Sequence, residues 1–252
     1  MTKKIILGII PARYGSTRFP GKPLADIGGK PMIQRVYEQA CKELDDVYVA
    51  TDDQRIHDAV IAFGGNVVMT SVNHQSGTDR CAEALRTIMD IEKKEFAAVI
   101  NIQGDEPFIS PKQIASVARC FADDSTQLAT LVKPVVETED LFNPNKPKVV
   151  VTSDKKALYF SRSPIPYLRG EEAESWVTSH QYYNHIGLYG YRADVLFEIT
   201  KLPIGVLEKA ESLEQLRWLE NGYAIRVEET NEQAHGIDTP EDLEKLLKSG
   251  LI

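Results

Sequence analysis

Lys4 to Leu24 read KIILGIIPARYGSTRFPGKPL, and the fold is decided here. Ile5 to Ile10 are apolar without a polar break. A strand with one wet face would alternate, so an unbroken run predicts a strand over 4–10 buried on both faces of a parallel sheet. The chemistry then changes at once. Arg13, Arg18 and Lys22 put three cations into one short loop, interleaved with Gly15 and Gly21. Ligands of open α/β sheets bind where such loops leave the carboxyl ends of parallel strands. Cations with glycine-permitted close approach suit a phosphate cradle; a basic surface loop would have the same composition. The loop is not a Walker A motif. Five residues separate Gly15 from Gly21-Lys22, and Pro23 stands where Ser or Thr is required. Nor is it a G-x-G-x-x-G dinucleotide fingerprint, which disfavours a nicotinamide oxidoreductase.

Because Lys3-Lys4 precede the apolar run, a secretion signal is the rival for this segment. Such a signal needs an apolar stretch of ~7–15 residues and a small-residue cleavage site. This run stops sooner, at Pro11. No stretch of the sequence approaches the ~20 apolar residues that cross a bilayer, so membrane insertion is not expected.

Outward from the first strand, apolar runs alternate with helical periodicity. Ile33, Val36, Tyr37 and Ala40 share one helix face. Asp46 to Ala50 predict a strand, 54–63 a helix stopped by Gly64-Gly65, Val67 to Thr70 a strand, 79–91 a helix and Phe96 to Ile102 a buried strand. Ser110-Pro111-Lys112-Gln113 reads as a capping box with proline at the first helical position. This alternation predicts an α/β fold with a mostly parallel central sheet flanked by helices. The middle differs. Strands are expected at 128–136, 148–152, 157–162 and 186–191 with little helix between them, punctuated by Pro134, Pro144, Pro147, Pro164 and Pro166. We read about 128–192 as a mixed or antiparallel insertion within a single domain spanning 1–252. Helices at 192–200 and 208–221, a strand at 223–228 and a capped helix at 239–248 complete the pattern.

Composition narrows the function. The chain has 252 residues, 42% apolar and 26% charged, which is ordinary for one globular unit with a sizeable core. Its net charge of −8 disfavours general nucleic-acid or anionic-membrane binding. Cys41, Cys81 and Cys120 are odd in number and widely spaced, which argues against a disulfide framework or zinc site and fits a cytoplasmic location.

Four further segments carry polar chemistry. Asn101-Ile102-Gln103-Gly104-Asp105-Glu106-Pro107 ends a buried strand. A carboxylate there can hold Mg²⁺, which prefers oxygen ligands, but the same residues make an ordinary β-turn. Asp238 precedes a helix N-cap, where a carboxylate is favoured electrostatically whether or not it also meets a metal. His74 to Arg80 is dense in small donors and acceptors, suited to reading a base edge or to capping a helix. Arg162 could pair with a carboxylate and His185 with a hydroxyl; a histidine entering a strand is also commonly structural.

In order, the segments IIPARYGSTRFPGKPL (9–24), HQSGTDR (74–80), NIQGDEP (101–107), FNPN (142–145), ALYFSR (157–162), HIGLYGYR (185–192), LEQLRWLENG (213–222) and GIDTPEDL (236–243) resemble the 3-deoxy-manno-octulosonate cytidylyltransferase (CMP-Kdo synthetase) family. They span nearly the whole chain. The resemblance implies a Rossmann-like nucleotide-diphospho-sugar transferase fold and a homodimer, with the insertion serving sugar binding and dimerisation. It also implies Mg²⁺-dependent coupling of CTP to the acidic sugar Kdo, giving CMP-Kdo and diphosphate for lipopolysaccharide synthesis. It places Ala12, Arg13, Ser16 and Lys22 on the nucleotide, Gln75, Ser76, Gly77 and Thr78 beside its base and ribose, and Asp105 and Asp238 on magnesium. Arg13, Lys22 and Asp105 would be catalytic. Gln103, Arg162, His185, Tyr189, Glu214 and Gln215 would face the sugar. Related readings are a CMP-sialate synthetase, another sugar nucleotidylyltransferase, or a nucleotide-binding module without turnover. The loop Arg-Tyr-Gly-Ser-Thr-Arg differs from the Gly-x-Gly-Thr-Arg-Met-like loop of sugar-1-phosphate enzymes.

Overall fold

The computed structural model describes residues 4–15, 18–232 and 236–248. Along the chain the elements are β1 (Ile6–Ala12), α1 (Met32–Ala40), β2 (Asp46–Thr51), α2 (Gln54–Ala62), β3 (Val67–Met69), α3 (Gly77–Glu92), β4 (Ala98–Asn101), α4 (Pro111–Cys120), β5 (Leu128–Pro134), α5 (Thr138–Phe142), β6 (Lys148–Val151), β7 (Ala157–Ser161), α6 (Trp176–Ser179), β8 (Tyr183–Arg192), α7 (Ala193–Ile199), α8 (Val206–Glu211), α9 (Gln215–Glu220), β9 (Ile225–Glu229) and α10 (Pro240–Lys248). No helix among the described residues is long and apolar enough to cross a membrane.

The apolar run becomes an interior strand. β1 lies parallel to β2 on one side and to β4 on the other, and β2 lies parallel to β3. Leu7 and Ile9 face one core, shared with Leu85, Ile88 and Leu196; Ile10 faces another, shared with Ile33, Val36 and Ile114. All three strand residues are fully buried, each worth ~1.5–3 kcal/mol of transfer free energy. Two apolar cores, one on each face, are why the run has no polar alternation.

The full sheet order is β3-β2-β1-β4-β8-β5-β9. β8 is antiparallel to both β4 and β5, while β5 and β9 are parallel. The fold is thus α/β with a mostly parallel centre and antiparallel strands added, as the alternation predicts. The 128–192 segment is more integrated than a surface insertion. Its first and last strands, β5 and β8, lie within the sheet; the β6–β7 hairpin and the chain through α6 extend from it.

Local chemistry sets the boundaries. α2 begins at Asp53, whose carboxylate accepts from the Arg55 N–H, and ends at Gly64 with φ +78°, where an L side chain would be strained. α10 begins with Thr239 and Asp242 capping each other: Thr239 N–H donates to Asp242 Oδ2 (3.0 Å) and Asp242 N–H to Thr239 Oγ1 (3.2 Å). Two expectations are corrected. Ser110 makes no side-chain cap, and Gln113 is buried rather than reaching back; Pro111, already set for a helical φ, starts α4 with backbone geometry instead. The single helix expected over 208–221 is two helices. Ser212 adopts φ +52°, a left-handed break that helical periodicity does not reveal.

Candidate active site

The loops after β1, β3 and β4 converge at one edge of the sheet. They line a cleft of about 280 Å³. This is the switch point where β1 turns to β2 on one side and β4 on the other.

The β1 loop is tied down at both ends. Gly21 N–H donates to the Tyr14 carbonyl (3.0 Å), and Gly21 needs its φ of +73° to close the turn. The Arg55 guanidinium stacks on the Tyr14 ring at 3.3 Å from its centre, fixing the loop to the start of α2. Arg13, Arg18 and Lys22 face the cleft. Ser16 lies outside the described residues.

The β4 loop approaches β1 closely. A Cβ on Gly104 would stand 2.9 Å from the Pro11 carbonyl oxygen, so a larger residue would force the two strand ends apart. Close packing explains the glycine. Gln103 lines the cleft and donates to the Gly187 carbonyl on β8 (3.2 Å). Burial, with Asp105 beside it, pushes Glu106 up to about 7.

Asp238 reaches Asp105 because the chain before α10 is stitched to the β4 loop. The Ile237 N–H donates to the Asp105 carbonyl (2.9 Å), and the buried Ile237 side chain packs with Ile27, Met32 and Leu246. Both carboxylates then converge on one ammonium. Lys22 Nζ donates to Asp105 Oδ2 (2.8 Å) and to Asp238 Oδ1 (3.3 Å). Arg18 takes Asp238 with both terminal nitrogens, at 3.1 and 3.3 Å. Two carboxylates aimed at one point, beside cations suited to phosphate, fit Mg²⁺, which completes its shell with water and substrate phosphate oxygens. No group of three or more His, Cys, Asp or Glu side chains gathers as a metal cage among the described residues.

The third wall is the start of α3. Ser76 caps it by accepting from the Asp79 N–H (3.1 Å), and Gln75, Ser76 and Gly77 line the cleft. A helix N-terminus favours an electronegative ligand. Arg80, which the sequence did not mark as a site residue, lies buried under this wall. It donates to Thr70 Oγ1 (2.5 Å) and Asp52 Oδ2 (2.6 Å), joining the ends of β2 and β3 to α3. His74 pairs with Glu83, which also accepts from the Ser71 N–H (2.9 Å). An arginine one turn inside a polar helix start was the signal available for Arg80.

The cleft therefore brings together Ala12, Arg13, Lys22, Gln75, Ser76, Gly77, Gln103, Asp105 and Asp238, with Arg18, His74 and Arg80 added. Other sequence candidates lie behind or beyond it. Thr78 is buried and donates to Glu214 Oε2 (2.7 Å). Burial raises the Glu214 carboxyl above its ordinary value, while this hydrogen bond and Arg217 oppose the rise. Tyr189 and Gln215 are buried, and the Tyr189 hydroxyl and Gln215 Nε2 have no hydrogen-bond partner. His185 Nε2 meets Thr130 Oγ1 at 3.0 Å, and its ring packs between Phe160 and Tyr189. Arg162 does not line the cleft. Its guanidinium donates to the carbonyls of Glu211 (2.7 Å), Pro144 (2.9 Å) and Ser212 (3.3 Å).

The family model described as Cytidylyltransferase matches residues 7–230. The 3-deoxy-manno-octulosonate cytidylyltransferase of Parabacteroides distasonis is 62% identical, with 96% of each chain covered. That of Thermodesulfovibrio yellowstonii is 48% identical, over 95% of this chain and 96% of its own. A solved CMP:2-keto-3-deoxy-manno-octonic acid synthetase in complex with CTP superposes with a TM-score of 0.87 at 44% identity, covering 97% of both chains.

Proposed function

From the premise that this chain belongs to the cytidylyltransferase family, among its 3-deoxy-manno-octulosonate cytidylyltransferases, we propose that it joins CTP to Kdo, giving CMP-Kdo and diphosphate. The observation that carries the reading is the convergence of Asp105, Asp238, Lys22 and Arg18 in a cleft that the polar start of α3 also lines.

In this reaction the anomeric hydroxyl of the sugar attacks the α-phosphorus of CTP. A new oxygen–phosphorus bond forms as the bond to the bridging oxygen of diphosphate breaks, and the hydroxyl proton passes to solvent. Charge shifts onto the phosphoryl oxygens and the leaving group, so positioning and electrostatic stabilisation carry most of the catalysis. Arg13, Arg18 and Lys22 neutralise triphosphate charge. Gln75, Ser76 and Gly77 present donors and acceptors to the nucleoside, and Ala12 leaves the backbone close to it. Asp105 and Asp238 would hold magnesium, which when bound would polarise the phosphate and neutralise developing charge. No protein nucleophile is needed.

For the sugar, Gln103 reaches the cleft directly. On this reading Tyr189, Glu214 and Gln215 would back it, and the unpaired Tyr189 hydroxyl and Gln215 amide support an oxygen-rich ligand there, since buried polar groups are normally satisfied. Homodimerisation is a further part of the proposal. It is supported by the exposed Val136, Phe142 and Tyr167 around the Trp176–Tyr182 ring stack, and sedimentation velocity tests it. The product's use in lipopolysaccharide synthesis and a cytoplasmic location complete the reading.

The deciding experiment measures diphosphate release from CTP and Mg²⁺ with Kdo, with sialic acid, or with no sugar. Release with Kdo alone is expected. Release with sialic acid alone would overturn the sugar assignment, and release without magnesium would overturn the metal.

A further inference from the structure

Lys22 lies between the two carboxylates that would receive the metal. Its ammonium stands 2.8 Å from Asp105 and 3.3 Å from Asp238, and its side chain is 15% exposed. Arg18 occupies the other side of Asp238 through two nitrogens. Both cations also belong to the loop that faces the triphosphate. They therefore have two alternative partners, the carboxylates and the phosphates.

We infer that Lys22 and Arg18 are internal counter-cations that oppose divalent-metal binding at Asp105 and Asp238 until the triphosphate draws them away. The inference rests on the metal reading given above and adds an order to it. A divalent ion arriving alone must displace an ammonium from a partly desolvated pair and leave two like charges side by side. With the triphosphate present, Lys22 and Arg18 move onto phosphate oxygens, and the carboxylates are released to the metal. Metal and nucleotide then strengthen each other's binding, and linkage makes the coupling reciprocal. One consequence is protection of the metal site from divalent ions in the absence of nucleotide. Another is that the two cations, once on the phosphates, leave Asp105 and Asp238 as an uncompensated pair that favours the metal.

The test uses Mn²⁺ alone, without nucleotide, and follows the free aqueous Mn²⁺ signal by electron paramagnetic resonance in titrations of the full chain. Lys22→Met removes the ammonium at similar volume, and Arg18→Met removes the guanidinium at a side chain that is 66% exposed. Lys22→Met should bind Mn²⁺ about tenfold more tightly than the parent chain, within the ~5–150-fold range of coupled sites. Arg18→Met should show a smaller gain. Adding Asp105→Asn to either variant should abolish the gain. Unchanged or weaker Mn²⁺ binding in both single variants, with binding still lost in Asp105→Asn, would overturn the inference and leave the metal site standing. A gain that survives Asp105→Asn would overturn the metal site itself, and the inference with it.

Discussion

On the β1–β4 side of the molecule, Arg18, Lys22, Asp105 and Asp238 meet as side chain to side chain across a cleft. On the β7–β8 side, Arg162 is held by three backbone carbonyls, and the fully buried Lys148 donates to a fourth, that of Asn143 (2.8 Å). Burial and the neighbouring Arg162 push the Lys148 ammonium below its ordinary value, while Glu211 opposes them. Glu211 is itself held by Ser161 Oγ (2.6 Å) and the Arg162 N–H (2.9 Å). Both regions contain cations and carboxylates. In the first, the partners are side chains on both sides, so the charges can exchange them, as the proposed metal and phosphate require. In the second, the cations knit three chain segments together, and exchange would leave the backbone carbonyls that join them without their charged donors. A cation in a polar motif thus has two fates, and what stands opposite it decides which.

The comparison can be broken most sharply at Asp105. Asp105→Asn should reduce turnover on the order of 10³-fold. Circular dichroism and melting temperature should stay near the parent values. Wild-type-like turnover in that variant would remove the cleft from the chemistry. Arg162→Ala is the opposite case. Three charge-assisted hydrogen bonds to backbone are lost, and unfolding free energy should fall by about 2 kcal/mol in urea titrations. Arg162→Lys should restore little, since an ammonium lacks the planar fork that spans three carbonyls. Unaltered stability together with a raised KM for the sugar would return Arg162 to the sugar.

A smaller effect probes the join between the two regions. Thr78→Val keeps the volume but removes the hydrogen bond to Glu214. A loss of about 1 kcal/mol should appear as a roughly fivefold rise in KM for Kdo, with KM for CTP nearly constant. An equal rise for both substrates would place Thr78 with the nucleotide.

The weakest effect concerns pH. Burial pushes His185 down to about 3, below its ordinary value. Its proton is taken up by the unfolded chain near pH 6.5 but not by the folded one. The stability it contributes is therefore present above that pH and is lost as pH falls toward 3. Between pH 7 and 5, the stability difference between the parent chain and His185→Gln should shrink by about 1 kcal/mol, allowing for the ring's partial exposure. A difference constant with pH would mean that the folded ring titrates like a free one.

Much of the cleft was legible because it is local. The apolar run into Pro11, the cations from Arg13 to Lys22 and the polar start of α3 each lie within a short stretch of chain, and a parallel sheet collects loops from strand ends at one edge. The residues expected to face the sugar were less legible. Whether Arg162 meets a ligand or the Glu211 and Ser212 carbonyls depends on the left-handed break at Ser212, which no periodicity encodes. Arg80 was similarly hidden, because its partners Asp52 and Thr70 come from two other strand ends.

By itself, the sequence determined that a doubly buried strand opens into a cationic loop, that helices and strands alternate around it, and that Asp105 and Asp238 each stand beside a turn or helix start. Such properties come from covalent neighbours and hydrophobic period. That the two aspartates share one ammonium is a property of the assembled fold. Their meeting depends on one backbone hydrogen bond, from Ile237 to Asp105, and on the packing of Ile237 against Ile27, Met32 and Leu246. Contacts between residues so distant in the chain are selected by which surfaces bury together, and that selection is made by the whole fold at once.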